Sequence, residues 1–252
     1  METSADAMGS RGGGERRYAL FDLDQTLVPY DTQLLMCNRV LRTEGWRRLY
    51  LILFVPVASL GVLRMVSLRT MKRIFLSYWW GMTRERVLEL AAEFVERDVL
   101  PAVYPEVKAE LERHRAEGRV TVLNTASPDF YARVIADRLG FDYCFGTRVE
   151  LPERMPLIPE IPGANNKQEA KIEAMREVLP PYFVKTDVLA DSYAYSDSSA
   201  DLPMLRIVDH PVMVDPSKRL RAEGENAGWE EVEVTGRVGG GEVVKMLLGI
   251  RP

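Results

Sequence analysis

Two aspartates, Asp22 and Asp24, stand one residue apart at the end of the apolar segment YALF, which has the character of a strand. In a strand, residues two apart point to the same face, so both carboxylates emerge together at the rim of a sheet. Carboxylates held this close coexist when a cation lies between them, when one is protonated, or when they have different tasks. The spacing favours a metal-assisted acid–base or nucleophilic site, with a solvated acidic turn as the alternative.

The composition of the chain limits the possible classes of protein. Its 252 residues suffice for one large domain, or for a core domain with a smaller inserted one, and the net charge of -4 is against general affinity for nucleic acid. Cys37 and Cys144 lie far apart without a CxxC pair, which indicates a reducing, cytosolic setting rather than a disulfide or a zinc site. Residues 1–16 are rich in glycine and charge and are expected to form a flexible leader. The oligomeric state is left open.

Strand and helix patterns alternate through the second half of the chain, and each predicted strand ends in a polar or acidic residue. One predicted helix begins at Ser127 with Pro128 in its first turn, a second extends from 165 to 179, and a third extends from 202 to 208. This alternation predicts an α/β fold with a Rossmann-like parallel sheet that is covered by helices on both faces. In such sheets, ligands bind at the carboxyl ends of the strands, where the strand order reverses. The side chains expected to converge at this edge are Asp22, Asp24, Thr125, Asp197 and Asp201.

The distance between the first two predicted strands indicates an inserted subdomain. About a hundred residues separate Asp24 from Thr125, whereas one crossover connection requires about a dozen or more. The excess predicts a helical cap at 30–101, placed over a core that is formed by 17–29 and 102–252.

One part of the predicted cap has an unusual composition. The stretch from Leu49 to Leu63 is uncharged and almost wholly apolar, and no acidic residue occurs between Glu44 and Glu85. It is shorter than the ~20 residues that a membrane-spanning helix needs, and Pro56 interrupts it. Two interpretations stay open: a buried helical hairpin that bends at Pro56, or a basic, apolar element on an anionic membrane surface. The candidate interfacial aromatic residues are Trp46, Tyr78, Trp79 and Trp80.

Four motifs occur in a characteristic order: FDLDQTL, LNTASP, a lysine that opens a helix, and SDSSADLP. Together they resemble the haloacid dehalogenase superfamily, subfamily IB, in its phosphoserine-phosphatase-like branch. The resemblance extends over nearly all of the chain from Arg17 to Trp229. The insert is also similar to that of the bacterial phosphatidylglycerophosphatase C group, because its apolar, acid-poor stretch is followed by the aromatic pair and glycine of YWWG.

The resemblance implies an enzyme that hydrolyses phosphate monoesters. Asp22 would be the nucleophile that takes the phosphoryl group as an aspartyl-phosphate, and Asp24 would protonate the leaving oxygen and later activate water. The implied cofactor is Mg²⁺, held by the Asp22 carboxylate, the Asp24 backbone carbonyl, Asp197 and water molecules.

Other positions take supporting roles by the same resemblance. Thr125 would donate a hydrogen bond to a phosphate oxygen. Lys171 would neutralise negative charge and is preferred to Lys167, because the segment KIEAM matches the motif better. Asp201 would orient the metal-bound waters or the lysine. Asp31 either meets a substrate amine, as an acidic side chain does in the phosphoserine phosphatase branch, or caps the first helix of the insert.

Some residues depart from the family pattern or have simpler interpretations. Gln25 and Ala200 stand where many members carry glycine and asparagine, but neither change removes a charge that the mechanism needs. His210 is interpreted as a structural residue of a strand.

Three functional hypotheses follow. The first is a Mg²⁺-dependent phosphomonoesterase that acts on a lipid phosphate such as phosphatidylglycerophosphate, in the cytoplasm at the inner face of the cytoplasmic membrane. The second keeps the chemistry for a soluble substrate, phosphoserine or a related phosphometabolite, with the apolar insert in a dimer interface. The third is a non-catalytic, membrane-associated binding protein, and the presence of all the catalytic residue types is against it.

Overall fold

The computed structural model describes residues 16–63, 65–181, 183–184, 187–235, 245–248 and 250. All but the last residue of the predicted leader 1–16 lies outside the described residues, and so does Arg64 within the acid-poor stretch.

A six-stranded parallel sheet forms the centre of the molecule, in the order β3-β2-β1-β4-β5-β6. The chain moves outward from β1 to β3 on one side and then returns to β4 on the other side of β1. The order therefore reverses between β1 and β4, which is where ligands bind in such sheets. The predicted α/β fold with a parallel sheet is confirmed. The strands are β1 (Tyr18–Phe21), β2 (Val120–Pro128), β3 (Tyr143–Thr147), β4 (Leu189–Ser196), β5 (Val208–Val214) and β6 (Glu230–Val232).

Nine α-helices have both ends within the described residues, and five of them lie between β1 and β2. Short turns of other helical types follow α1, α3 and α4, at Gly45–Leu49, Leu76–Trp79 and Val95–Ala102. We call the segment from α1 to α4 the cap; its exact boundaries at residues 30 and 101 stay a prediction. The helices are α1 (Thr32–Thr43), α2 (Tyr50–Val62), α3 (Leu68–Phe75), α4 (Arg84–Phe94), α5 (Pro105–Ala116), α6 (Asp129–Leu139), α7 (Glu169–Ala174), α8 (Leu202–Leu205) and α9 (Lys218–Ala227).

The alternation of side chains along β1 divides the core into two layers. Tyr18 and Leu20 face a layer that includes residues of α7, α8 and α9. Ala19 and Phe21 face a larger layer that includes residues of α5, α6 and the cap. All four side chains are buried, as expected for the central strand of a sheet covered on both faces.

Several predicted boundaries are wrong by a few residues, for local reasons. Pro128 has an extended backbone and precedes α6, so it is not part of the first turn of that helix. The predicted helix 165–179 starts only at Glu169 as α7, because Gln168 has a φ of 57° and a helix cannot pass through that conformation, and α7 ends at Ala174. The predicted helix 202–208 ends at Leu205, because Val208 already pairs with Leu189 in the sheet.

The apolar stretch of the cap forms one helix, α2, which contains Pro56 and continues through it. The chain reverses after Val62 and returns as α3. A Cβ atom on Gly61 would lie 2.7 Å from the Met71 sulfur, so glycine permits the close approach of the two helices. The interpretation as a buried hairpin that bends at Pro56 is wrong, because the turn lies elsewhere and one side of α2 is exposed. Among the described residues, none of the helices combines the length and apolar character that crossing a membrane would take.

Candidate active site

The carboxyl ends of β1 and β4 bring Asp22 and Asp197 to one edge of the sheet. Asp22 directly follows β1, and its backbone N–H donates to the Tyr195 carbonyl at 3.0 Å. The Thr26 hydroxyl links the two carboxylates, because its Oγ1 lies 3.5 Å from Asp22 Oδ2 and 3.4 Å from Asp197 Oδ1. The Asp197 N–H also donates to this hydroxyl, at 3.0 Å. Thr26 therefore sets the spacing of the two acids.

Lys171 lies between two carboxylates beneath this edge. Its Nζ donates to Asp22 Oδ1 at 2.5 Å and to Asp201 Oδ2 at 2.8 Å, and its side chain is almost completely buried. The Ser196 hydroxyl donates to the same Asp201 oxygen at 2.8 Å. The structure thus places Lys171 against Asp22, whereas Lys167 is exposed at the side of the cavity above.

The helix that carries Lys171 is held in place by buried amides. Asn124, in the middle of β2, donates its Nδ2 to the Lys171 carbonyl at 2.9 Å. Asn166 Nδ2 in turn contacts Asn124 Oδ1 at 2.8 Å and the carbonyls of Thr125 and Phe145, both at 3.0 Å. These bonds fix the start of α7 on the ends of β2 and β3, and so position the lysine.

Burial and mutual repulsion shift the pKa values of these groups. Burial first, and then the Asp201, Asp24 and Asp197 carboxylates, raise the pKa of Asp22 well above its usual value, while Lys171 opposes the rise. Burial and the neighbouring Asp201 and Asp24 raise the pKa of Asp197 to about 7. Burial alone would lower the pKa of Lys171, but its ion pairs with Asp22 and Asp201 raise it instead. Several carboxylates share this one lysine, so the site keeps negative charge that a further cation would neutralise.

Asp24 is held separately from Asp22 by groups of the cap and of β2. The Thr32 N–H and hydroxyl donate to its Oδ1 at 2.8 and 2.6 Å, and the Ser127 hydroxyl donates to its Oδ2 at 2.7 Å. Tyr131 OH lies 3.2 Å from the Thr32 hydroxyl. Because Thr32 is the first residue of α1, the orientation of the predicted acid–base residue depends on the cap.

Thr125 lies at the expected place on β2, but its side chain is buried and accepts a hydrogen bond from the Ser127 N–H at 3.0 Å. Ala126 and Ser127 line the cavity, and Thr125 is not among the lining residues. Its contact with a phosphate therefore stays a prediction.

A cavity of about 480 Å³ lies over the carboxylates, between the sheet and the cap. Its floor, as we call the group Asp22, Asp24, Lys171, Asp197 and Asp201, comes from the core. The apolar part of its wall comes mainly from the cap, with one residue from the C-terminal segment. These apolar residues are Leu34, Phe54, Leu68, Met71, Phe75 and Leu247.

Two charged residues of the cap also line the wall. Lys72 Nζ donates to the Ala126 carbonyl at 2.5 Å and to Asn165 Oδ1 at 3.0 Å, and burial lowers its pKa to about 8. Asp31 accepts a hydrogen bond from the Leu34 N–H at 2.9 Å as the N-cap of α1. Removal from bulk water inside the cavity, and then the Asp24 carboxylate, raise the pKa of Asp31 to about 6. Asp31 thus caps the helix and also faces the cavity.

His210 lies in β5 and stacks on Tyr193, with 4.5 Å between the ring centroids. It is not a lining residue of the cavity, in agreement with a structural role.

The oxygen atoms at the floor are of the kind that binds a divalent cation. Within the described parts of the chain, no three side chains of His, Cys, Asp or Glu form a ready-made metal cluster. The implied Mg²⁺ ligands are two carboxylates and a backbone carbonyl, however, and Mg²⁺ is commonly held by one or two carboxylates while it keeps several waters. Asp22 and Asp197 share the Thr26 hydroxyl, and the floor carries more acids than its lysine can neutralise. The donor set fits a hard cation.

Four residues of this site received no role from the sequence: Thr26, Thr32, Lys72 and Ser127. Ser127 lies inside the TASP motif and Thr26 inside the first motif, so the motifs themselves were a signal for both. No local signal identifies Thr32 or Lys72, because their roles arise from the way the cap folds back over the sheet.

Comparison with known proteins agrees with this geometry. Residues 19–206, well over half of the chain, match the haloacid dehalogenase-like hydrolases. A histidinol-phosphatase of Neisseria meningitidis is 26% identical over 147 residues, which cover 58% of this chain and 66% of that protein. A phosphoserine phosphatase of Mycobacterium tuberculosis is 29% identical over 163 residues, or 63% of this chain and 50% of that protein. The chain thus spans about half to two thirds of the length of these two relatives.

A crystal structure of a Bordetella pertussis protein of unknown function superimposes with a TM-score of 0.72 at 24% identity, over 87% of this chain and 99% of that one, which supports the fold. The chain belongs to the haloacid dehalogenase-like hydrolase family. The predicted membership in this family is confirmed, and the relatives named as histidinol-phosphatase and phosphoserine phosphatase support the prediction of a phosphatase against that of a non-catalytic binding protein.

Proposed function

We propose that the protein hydrolyses phosphate monoesters with the help of Mg²⁺ and through a phosphorylated Asp22. The observation that carries the proposal is the pair of differently held acids at the floor of the cavity. Asp22 is bonded to the buried Lys171, and Asp24 is bonded to Thr32 and Ser127. Two carboxylates with separate environments suit separate tasks, one as a nucleophile and one as an acid and base.

The reaction proceeds in two steps. An Asp22 carboxylate oxygen forms a bond to phosphorus while the bond from phosphorus to the ester oxygen breaks, and protonated Asp24 gives its proton to that oxygen. Asp24 then takes a proton from water, whose oxygen attacks the phosphorus and releases inorganic phosphate and free Asp22. Bound Mg²⁺ would be held by Asp22, Asp197 and the Asp24 carbonyl, and would offset negative charge on the phosphoryl group. Lys171 holds Asp22 in place and adds positive charge.

The decisive experiment compares Asp22→Asn with the wild type on an aryl phosphate, with Mg²⁺ and with a chelator. We expect the rate to fall about 10⁴-fold in the variant, because the nucleophile is removed. Asp137→Asn, an exposed carboxylate change on α6, is the matched control. Borohydride reduction of the trapped acyl phosphate, followed by peptide mass spectrometry, should modify Asp22. Wild-type activity in Asp22→Asn would exclude this mechanism, and undiminished activity in the chelator would exclude the role of Mg²⁺.

We further propose an amphiphilic substrate, a phosphate monoester with an apolar group, of which a lipid phosphate such as phosphatidylglycerophosphate is an example. The apolar wall of the cavity supports this proposal. Leu68 lines the cavity and is also 66% exposed, so the wall continues to the outside of the protein. A long apolar group could leave the cavity along it while the phosphate remains at Asp22.

A soluble amino-acid-like phosphate is the second candidate, and Asp31 and Lys72 support it. An acid and a cation in the same wall suit a substrate that carries an amine and a carboxylate. The relatives named for phosphoserine and histidinol phosphate point the same way. A panel with phosphatidylglycerophosphate, phosphoserine and histidinol phosphate separates the candidates by kcat/KM. The cytoplasmic location at the inner membrane face stays a prediction.

A further inference from the structure

The cap presents apolar side chains to water along one side of α2 and the turn before it. We call these residues the outer face of α2. Ile52 is 69% exposed and Val55 is 53% exposed. Single exposed apolar residues are common on proteins, whereas a contiguous group indicates a binding surface. The outer face consists of Leu49, Ile52, Leu53, Val55, Leu60 and Leu63.

The opposite side of α2 is firmly packed. Tyr50 and Phe54 both contact the Phe75 ring, at centroid distances of 6.0 and 5.0 Å, and Tyr50 also contacts Tyr78 at 5.9 Å. The helix is therefore held in its orientation by its inner side, and the outer face is available to a partner.

The segment of the chain that carries the outer face has an excess of positively charged residues. No acidic residue occurs between Glu44 and Glu85. Arg48 donates to the Leu248 carbonyl and Arg69 to the Ile161 carbonyl. For Arg69, the bond to a carbonyl orients the guanidinium group and does not neutralise its charge. Other arginines of this stretch, Arg47 and Arg73, are paired with Glu44 and Glu160.

Two exposed tryptophans, Trp46 and Trp80, stand beside the outer face. They line a small groove of about 130 Å³ together with Leu49, Leu53 and Leu157. Tryptophan is enriched where a protein meets the boundary between lipid and water, because its ring is apolar and its N–H is polar.

From these observations we propose that the outer face of α2 docks on the surface of an anionic lipid bilayer. The excess of positively charged residues in this segment matches an anionic surface. It disfavours a second copy of this chain as the partner, because symmetric pairing would bring two positive segments together. The 13 residues of α2 extend for about 20 Å and would lie along the bilayer surface.

Docking would bring the cap, whose apolar side chains form part of the cavity wall, to the lipid surface. Phe54 of α2 and Leu68 of α3 line the cavity, and Leu68 is exposed on the outside as well. The exposed Leu68 would then mark the route by which a phosphorylated lipid enters the cavity. This part rests on the proposed function, whereas membrane docking itself can be measured without catalysis.

The test is co-sedimentation of the full chain with vesicles of phosphatidylcholine, with and without phosphatidylglycerol. We expect binding to the anionic vesicles at low salt, weaker binding at high salt, and equal binding by the inactive Asp22→Asn variant. The variant Ile52→Glu/Val55→Glu should bind at least about tenfold more weakly, since two apolar contacts are lost and negative charge is added. It should keep wild-type activity on a soluble aryl phosphate, which shows that it is folded.

The matched control is Val184→Glu/Val188→Glu, which changes two valines that are 57% and 53% exposed outside the cap. This control should bind vesicles as the wild type does, or slightly less because of its charge. Quenching of tryptophan fluorescence by brominated lipid should be strong in the wild type and weak in Ile52→Glu/Val55→Glu.

The docking proposal is overturned if active wild-type protein fails to sediment with anionic vesicles, or if both double variants lose binding equally. It is also overturned if the protein forms a dimer in solution that Ile52→Glu/Val55→Glu dissociates. A loss of phosphatase activity in all preparations, with vesicle binding retained, would instead contradict the proposed function.

Discussion

Lys171 at the floor of the cavity and Lys72 in its wall are lysines of one site with opposite electrostatic settings. Lys171 comes from the core and lies between the Asp22 and Asp201 carboxylates, which raise its pKa. Lys72 comes from the cap, and its partners are a carbonyl and an amide oxygen, so that burial lowers its pKa to about 8. Lys171 in the core therefore stays protonated at neutral and mildly alkaline pH, whereas Lys72 in the cap loses its proton as the pH rises through about 8.

Replacing the lysine of the floor tests this contrast most strongly. Lys171→Met should destabilise the fold by about 3–5 kcal/mol at pH 7, because Asp22 and Asp201 remain buried without their cation. Urea unfolding measures the loss. Phosphatase activity should fall at least about 10³-fold.

The effect of Lys171→Met should depend on pH with a definite sign. Burial without the lysine leaves the pKa of Asp22 raised, so the folded state holds a proton that the unfolded state releases. Stability should then fall as the pH rises, and the loss should be smaller at pH 5 than at pH 8. Lys167→Met, which changes an exposed lysine four residues earlier in the chain and outside α7, is the control. A loss of less than about 1 kcal/mol in the free energy of unfolding of Lys171→Met would contradict the proposed electrostatic difference between Lys171 and Lys72.

The junction between floor and wall can be tested at Thr32. Thr32→Val removes the hydroxyl that donates to Asp24 and keeps the backbone N–H of α1 in place. We expect kcat to fall about tenfold, because a hydrogen bond to a charged group contributes roughly 1.5–3 kcal/mol. The loss should be larger for an alkyl phosphate than for a nitrophenyl phosphate, since a poor leaving group needs the proton of Asp24 more. Thr70→Val on α3 is the control, and equal losses for both substrates would contradict the role of Thr32.

The smallest effect is expected at the lysine of the wall. Lys72→Met should leave kcat nearly unchanged and raise KM by a few fold, because the charge attracts substrate without contacting the reacting atoms. In the wild type, kcat/KM should decline as the pH rises through about 8, where Lys72 loses its proton. Lys72→Arg should remove this decline, because arginine stays charged. Lys108→Met, which changes an exposed lysine on α5, serves as the control. An identical decline of kcat/KM at alkaline pH in Lys72→Met would exclude Lys72 as its origin.

The residues of the floor were predictable from the sequence because strands impose strict geometry. Asp22 and Asp197 each follow an apolar strand, and parallel strands end at one edge of the sheet. Lys171 and Asp201 were found by their motifs. The contacts of Thr125 were not predictable, because the rotation of one side chain at a strand end depends on its neighbours, here the Ser127 amide.

The residues of the wall were less predictable because they come from an insert. Thr32 and Lys72 reach the site only after α1 and α3 have folded over the sheet. Whether α2 is buried or exposed was also not predictable, since a helix with apolar residues on all sides is compatible with burial and with an exposed interface. The sequence also did not show which arginines of the cap make internal contacts. Arg47, for example, is buried and donates to the carbonyls of Tyr78 and Trp80.

The sequence by itself determined the α/β class, the parallel sheet and the group of acids at its edge. The alternation of strands and helices, and the position of an acid directly after a strand, are local properties that can be read from short segments of the chain. Only the tertiary structure decided which lysine meets Asp22, which hydroxyls hold Asp24, and which side of α2 remains in water. Those outcomes depend on contacts between residues far apart in the chain, where packing and charge are balanced over the whole molecule rather than within one segment.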